Sequence, residues 1–223
     1  MAAYDLEEQE QLSSIQAWWQ QHGNLVTGLL VAAALVSVSF QGWNWYQNNQ
    51  SAKAGALFAK VENSVAAGDA LHARDAAGEL LDKYPGTAQA GFGALLAAKS
   101  QLAAGDTKTA KAELSWAAEK AVDSEVRDVA RLRLAAVLMD EKAFDEALKQ
   151  LEKEPGPAFA ANFAEARGDV LALQGKKTEA IAAYLAALNK RVASEGADAA
   201  EERRVKVARE VLTVKLESLG GKQ

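Results

Sequence analysis

The sequence predicts an all-α protein, and three observations carry that prediction. Only 3 of its 223 residues are proline, the strongest helix breaker, whereas 49 are alanine, the best helix former. Hydrophobic residues make up 49% of the chain, enough for a sizeable core, and they recur at helical spacing in short runs punctuated by Gly, Asp and Pro. Those runs also resemble one another at a spacing of a few tens of residues, which is the mark of a stacked helical array.

Composition narrows the chemistry. With no cysteine, a disulfide framework, Cys-based zinc sites, iron–sulfur clusters and thiol catalysis are all excluded. The formal charge is 25 − 30 = −5, and four of the negatives, Asp5, Glu7, Glu8 and Glu10, precede the first basic residue, Lys53. The remainder is therefore nearly neutral. It has no basic stripe of the kind that displaces counterions from phosphates, so nucleic acid is not an expected partner.

Residues 1–23 read as an acidic tail and 24–46 as a transmembrane helix. From Gln11 to Ala52 no Lys, Arg, Asp or Glu occurs, although such residues are 25% of the chain. The centre of this gap, Leu25 to Phe40, is apolar apart from Thr27, Ser37 and Ser39. Trp18 and Trp19 precede it, and Trp43, Trp45 and Tyr46 follow. Trp19 to Trp43 covers about 36 Å of helix, which sets the two aromatic groups at the interfaces of a ~30 Å hydrocarbon layer. A soluble core helix does not explain paired Trp at both ends. A cleaved signal peptide would want a basic start and a small-residue cleavage site, and this segment has neither. Orientation is a separate matter: Lys53 and Lys60 follow the span and no basic residue precedes it, so charge alone leans toward a cytoplasmic C-terminal domain.

Residues 51–223 read as a domain of helical hairpins. Asp69, Thr87, Asp123 and Thr178 are expected helix N-caps, and Pro85-Gly86 and Pro155-Gly156-Pro157 are breaks. Gly168, Leu171, Gly175, Ala180, Tyr184 and Ala187 fall at the spacing of a tetratricopeptide repeat. Ala135, Leu138, Ala147 and Leu151 take the matching places one unit earlier, and Ala98, Gly105, Ala110 and Leu114 do so before that. Small residues twelve apart, as in Gly168 and Ala180, let two helices of a hairpin approach closely. Ser51 to Tyr84 is expected to form a degenerate first hairpin. A terminal helix from Glu201 to Leu219 is expected to cover the last repeat with Val205, Ala208, Leu212 and Leu219.

The concave face of such an array is where a partner would bind. Phe92, Leu95, Leu102, Leu132 and Met139 occupy its positions in consecutive units and make it apolar. Lys99 is the single residue there suited to a terminal carboxylate, so capture of a peptide end is not expected. Two occupants compete, namely an external segment and the chain's own Val205 to Leu219. No metal site, cofactor site or catalytic constellation is expected: His22 and His72 have no spaced partners, Gly91-Phe92-Gly93 lacks a strand-to-helix context, and Glu201-Glu202-Arg203-Arg204 reads as a paired helix face.

The order of parts resembles a known family. An acidic run at Tyr4 to Glu10, Trp18-Trp19 before Gly23, a span closing in Gly42-Trp43-Asn44-Trp45-Tyr46, the repeat domain, and Val214 to Leu219 near the end are similar to the YfgM-like ancillary SecYEG translocon subunits of Gram-negative bacteria. The resemblance implies a non-enzymatic, single-pass inner-membrane protein with its repeat domain in the periplasm. It also implies association with the SecYEG translocon and the membrane-anchored chaperone PpiD, and chaperone-like help to unfolded, newly exported proteins. Where the family usually has a basic residue before the aromatic pair, this chain has Gln16 and Ala17. A membrane-tethered scaffold for another envelope assembly complex and a cytoplasmic-facing sequestering regulator are the alternatives.

Overall fold

A computed structural model describes the backbone of residues 3–192 and 199–221, and the side chains of residues 11–191 and 202–221. The chain divides into two compact units, Met1–Gln50 and Ser51–Gln223, and the described residues are helical throughout, apart from turns and one short 3-10 segment. The long helix α1 (Ala3–Ala66) contributes to both units.

In the first unit the side chains of the apolar run face outward. Leu25, Leu29, Leu35, Val36 and Phe40 are each 64–70% exposed. Among the described residues, this stretch lies in the one helix long and apolar enough to cross a membrane. A leucine-rich surface of this kind has no counterpart in a water-soluble core helix, which buries its leucines. The aromatic groups are also exposed. The Trp18 ring stacks on His22 at 5.3 Å, Trp43 lies 6.3 Å from Tyr46, and Trp19 covers Gly23, where a Cβ would come within 3.1 Å of the indole Nε1.

Among the described residues, the second unit comprises four hairpins and a closing helix. The end of α1 pairs with α2 (Ala70–Lys83), α3 (Ala88–Ala103) with α4 (Thr107–Lys120), α5 (Ser124–Asp140) with α6 (Phe144–Glu152), and α7 (Ala160–Leu173) with α8 (Lys177–Val192). Helix α9 (Ala199–Ser218) closes the array against α8. The repeat-signature residues lie inside: Ala98, Ala110, Leu114, Ala135, Ala147, Leu151, Ala180 and Ala187 are all fully buried. Val61 and Ala73, also twelve apart and fully buried, extend the pattern to the first hairpin. Half-buried Leu81 and Trp116 pack against both the Ala54–Leu80 cluster and the large central cluster, joining the first hairpin to the rest.

Each hairpin turns in the same way. The N–H of Gly105 donates to Leu102 O and that of Asp106 to Gln101 O, and the same pair of bonds closes the turns at Gly68, Lys142 and Gly175. All four residues are left-handed, with φ of 73° at Gly68, 82° at Gly105, 60° at Lys142 and 76° at Gly175. Lysine in this conformation crowds its Cβ against the following carbonyl. Lys142→Gly is therefore expected to raise stability by about 0.5–1 kcal/mol, read as a higher melting temperature, whereas Gly105→Lys should lower it by a similar amount.

Asp69 accepts from His72 N, Thr87 from Ala90 N and Asp123 from Glu125 N, so three of the expected N-caps are present. Thr178 is not a cap, since it is the second residue of α8, which begins directly after the Gly175 turn. Asp106, not among the expected caps, caps α4 by accepting from Thr109 N at 3.0 Å.

Glu113 of α4 is 7% exposed, and its Oε2 has no hydrogen-bond partner. Burial, reinforced by the negative charge of Asp106 and opposed by Arg74, pushes its carboxyl up to about 8. Because this folded value lies above the unfolded one, the folded chain holds a proton that the unfolded chain releases. Its contribution to stability is full below the ordinary carboxylate range and is lost as pH rises toward 8. The melting temperature should fall between pH 5 and pH 8, and Glu113→Gln should flatten that slope. A wild-type slope unchanged in Glu113→Gln would assign the effect to other groups.

Candidate binding face

Two buried glycines seat α3 against its neighbours. A Cβ at Gly93 would meet Leu80 Cδ2 at 2.7 Å, and one at Gly91 would meet Ala121 Cβ and Val126 Cγ1 at 3.0 Å. The helix is thus seated tightly against α2 on one side and against the α4–α5 connection on the other. Phe92, between them, is left on the open side and is 47% exposed.

The five expected face residues occupy different depths. Phe92 and Leu102 are exposed, Leu102 at 38%. Leu95 is buried at 8% in the central cluster, and Leu132 and Met139 of α5 are half-buried and packed against that cluster. A partner on this face would therefore touch Phe92 and Leu102 foremost, with Leu95 beneath as structural support. Leu102 also walls two neighbouring hollows. One, of about 300 Å³, is lined by Ala98, Lys99, Leu102, Leu114 and Arg133. The other, of about 510 Å³, shares Leu102 and Arg133 and runs on to Val137, Asp140 and Glu141.

Helix α9 places its apolar residues elsewhere. Leu212 and Leu216, fully or almost fully buried, pack with Leu171, Ala180, Tyr184 and Ala187 of the last hairpin, and Leu219 lies against the same cluster. Lys215 fixes the helix further, reaching Glu165 Oε1 at 2.9 Å and Asp169 Oδ1 at 2.8 Å on α7. Of the expected covering residues, Val205 and Leu212 are buried and Ala208 is half-buried. Leu216 was not among them, although it follows Leu212 by one helical turn.

The basic residues of the face were also not fully legible as a site. Register alone puts Lys99 on the face, whereas Arg133 follows the groove position Leu132. The available signal was the absence of any carboxylate three or four positions away from either residue, where a helical ion pair would form. Among the described residues no group of three or more His, Asp or Glu is placed to hold a metal ion.

Stacked α-hairpins closed by a terminal helix, preceded by a long apolar helix, define a tetratricopeptide-type adaptor with a membrane-anchor candidate, and residues 16–221 match the tetratricopeptide repeat-like domain family. The chain is 32% identical to the ancillary SecYEG translocon subunit of Neisseria gonorrhoeae, over 98% of this chain and 100% of the relative. It is 28% identical to the subunit of that name in Haemophilus influenzae, over 80% of this chain and 87% of the relative, and 25% identical to the one in Escherichia coli K12, over 79% and 85%. The chain belongs to the YfgM-like family of ancillary SecYEG translocon subunits, which are adaptors and not enzymes. This kinship and the one such apolar helix among the described residues fit a membrane-anchored protein.

Proposed function

We propose that this protein is a single-pass inner-membrane subunit that associates with the SecYEG translocon and presents residues 51–223 in the periplasm. There it works beside the chaperone PpiD and assists newly exported, unfolded proteins through the face formed by α3 and α5. The observation that carries the reading is the full-length match to the Neisseria gonorrhoeae subunit, which spans both the apolar helix and the repeat domain. Trp18, Trp19, Trp43, Trp45 and Tyr46 are the residues proposed to sit at the two membrane interfaces.

Lys53 and Lys60 favour the opposite orientation, in which the repeat domain would face the cytoplasm and sequester a soluble factor. A reporter active only in the cytoplasm, fused after Gln223, is expected to be silent. Strong reporter activity would establish the opposite topology and remove the periplasmic role. Crosslinking in intact cells followed by mass spectrometry is expected to recover translocon subunits and PpiD. Recovery of a different envelope complex in their place would favour the scaffold reading.

A further inference from the structure

Arg133 stands apart from the other arginines. Arg74 bonds to Asp75, Arg127 to Ala121 O and Val122 O, Arg131 to Asp128, Arg167 to Leu151 O and Arg191 to Glu165. Arg203, Arg204 and Arg209 also have partners. Among the described residues Arg133 is the one arginine with neither a hydrogen bond nor an ion pair, and it is exposed. Lys99 is likewise exposed and unpaired. Both line the 300 Å³ hollow, whose accessible apolar wall is Leu102, with the fully buried Ala98 and Leu114 beneath it.

This arrangement combines an apolar seat with two unneutralised cations at its rim. Guanidinium presents a planar fork that matches a carboxylate, and one left without an internal partner retains that capacity for a ligand. The neighbouring hollow gives the site a direction. It shares Leu102 and Arg133 but ends at Asp140 and Glu141, of which Glu141 already pairs with Lys111 and Asp140 has no partner. A second carboxylate at that end would meet a like charge.

We infer that this face binds an internal acidic–apolar segment of a partner protein, with a side-chain carboxylate held at Arg133 and Lys99 and leucine-sized side chains following it over Leu102 toward Val137. The inference rests on the proposed binding role of the α3–α5 face and adds the chemistry of its occupant. A segment that is apolar alone would leave both cations unused. The occupant also differs from a free peptide end, since no Asn accompanies Lys99 in the lining.

The test uses the full-length protein in phosphatidylcholine nanodiscs, with empty nanodiscs as the control. Fluorescence anisotropy follows a short, end-capped, labelled peptide in which a glutamate pair precedes leucines. The glutamate peptide is expected to bind about tenfold more tightly than its glutamine analogue. That preference should weaken with salt, vanish in Arg133→Gln and partly return in Arg133→Lys, with helicity and melting temperature unchanged. Equal affinity for the two peptides, or a preference that persists in Arg133→Gln, would overturn the inference. So would equally tight binding of a glutamine peptide with a free C-terminus, which would assign the cations to a terminal carboxylate. If both peptides bind equally and Leu102→Asp abolishes both, the binding face stands and the charge inference falls. If neither binds, the inference falls, while photocrosslinking from position 102 to translocon subunits in cells decides the broader role separately.

Discussion

Gly168→Ala is expected to destabilise the protein by about 2 kcal/mol, although alanine is the better helix former. A Cβ at Gly168 would lie 2.4 Å from Tyr184 Cε1, 2.5 Å from Cδ1 and 3.1 Å from Cγ, so the clash involves the body of the ring. The ring is not free to swing away. Tyr184 is 3% exposed, its Oη donates to Asp169 Oδ1 at 2.8 Å, and the Lys215 ammonium lies 5.7 Å from its centroid. Burial and the bond to Asp169 hold the phenol above its usual range, so it stays a protonated donor. The same substitution at Gly78, which is exposed on α2 with nothing within 4 Å of a new Cβ, should stabilise by about 0.5–1 kcal/mol. Opposite signs from one chemical change separate packing from propensity. A double variant of Gly168→Ala with Tyr184→Leu should recover part of the loss. Melting temperatures that rise equally for Gly168→Ala and Gly78→Ala would sink the packing argument. Ala180→Leu, in the fully buried partner position, should cost about 1–3 kcal/mol, against at most about 0.5 kcal/mol for a change at exposed Lys177.

Asp128→Ala should cost about 3 kcal/mol, because one buried carboxylate ties three segments together. Its Oδ1 accepts from Arg131 Nη1 at 2.9 Å and its Oδ2 from the N–H of Gly156 at 2.8 Å, while Arg131 Nη2 donates to Ala118 O at 3.1 Å. The side chains of Asp128 and Arg131 are only 4% and 11% exposed. Removing the carboxylate leaves the buried guanidinium with Ala118 O alone and the Gly156 N–H without its acceptor, and it releases the Pro155-Gly156-Pro157 connection from α5. Asp128→Asn keeps the acceptor for one donor and should cost roughly half as much. Denaturant unfolding of the two variants checks the order, and an Asp128→Ala loss below that of Asp128→Asn would contradict it.

The helical class, the apolar span, the hairpin repeat and most of the caps were legible in the sequence because each is written in near neighbours. Helix periodicity, an N-cap two or three residues from the amide it serves, and a run without charge need no knowledge of distant parts of the chain. The repeat was legible for a related reason: small residues twelve apart face each other within one hairpin. The third turn was less legible, since Lys142 holds the left-handed place that glycine marks at 68, 105 and 175.

Contacts between elements were decided by the tertiary structure. Sequence spacing indicated that Gly168 must be small, but only the stacked hairpin shows that the Tyr184 ring requires it. Asp128 reads as one acid on a charged helix until the connection 28 residues later brings the Gly156 N–H to it. Leu95 and Leu102 share a register pattern, yet one is buried and the other walls the hollows, because neighbouring helices α4 and α5 cover α3 unequally. Burial and pairing depend on which helices meet and at what distance, and the periodicity of a single helix, which sorts residues onto faces, leaves open what each face will meet.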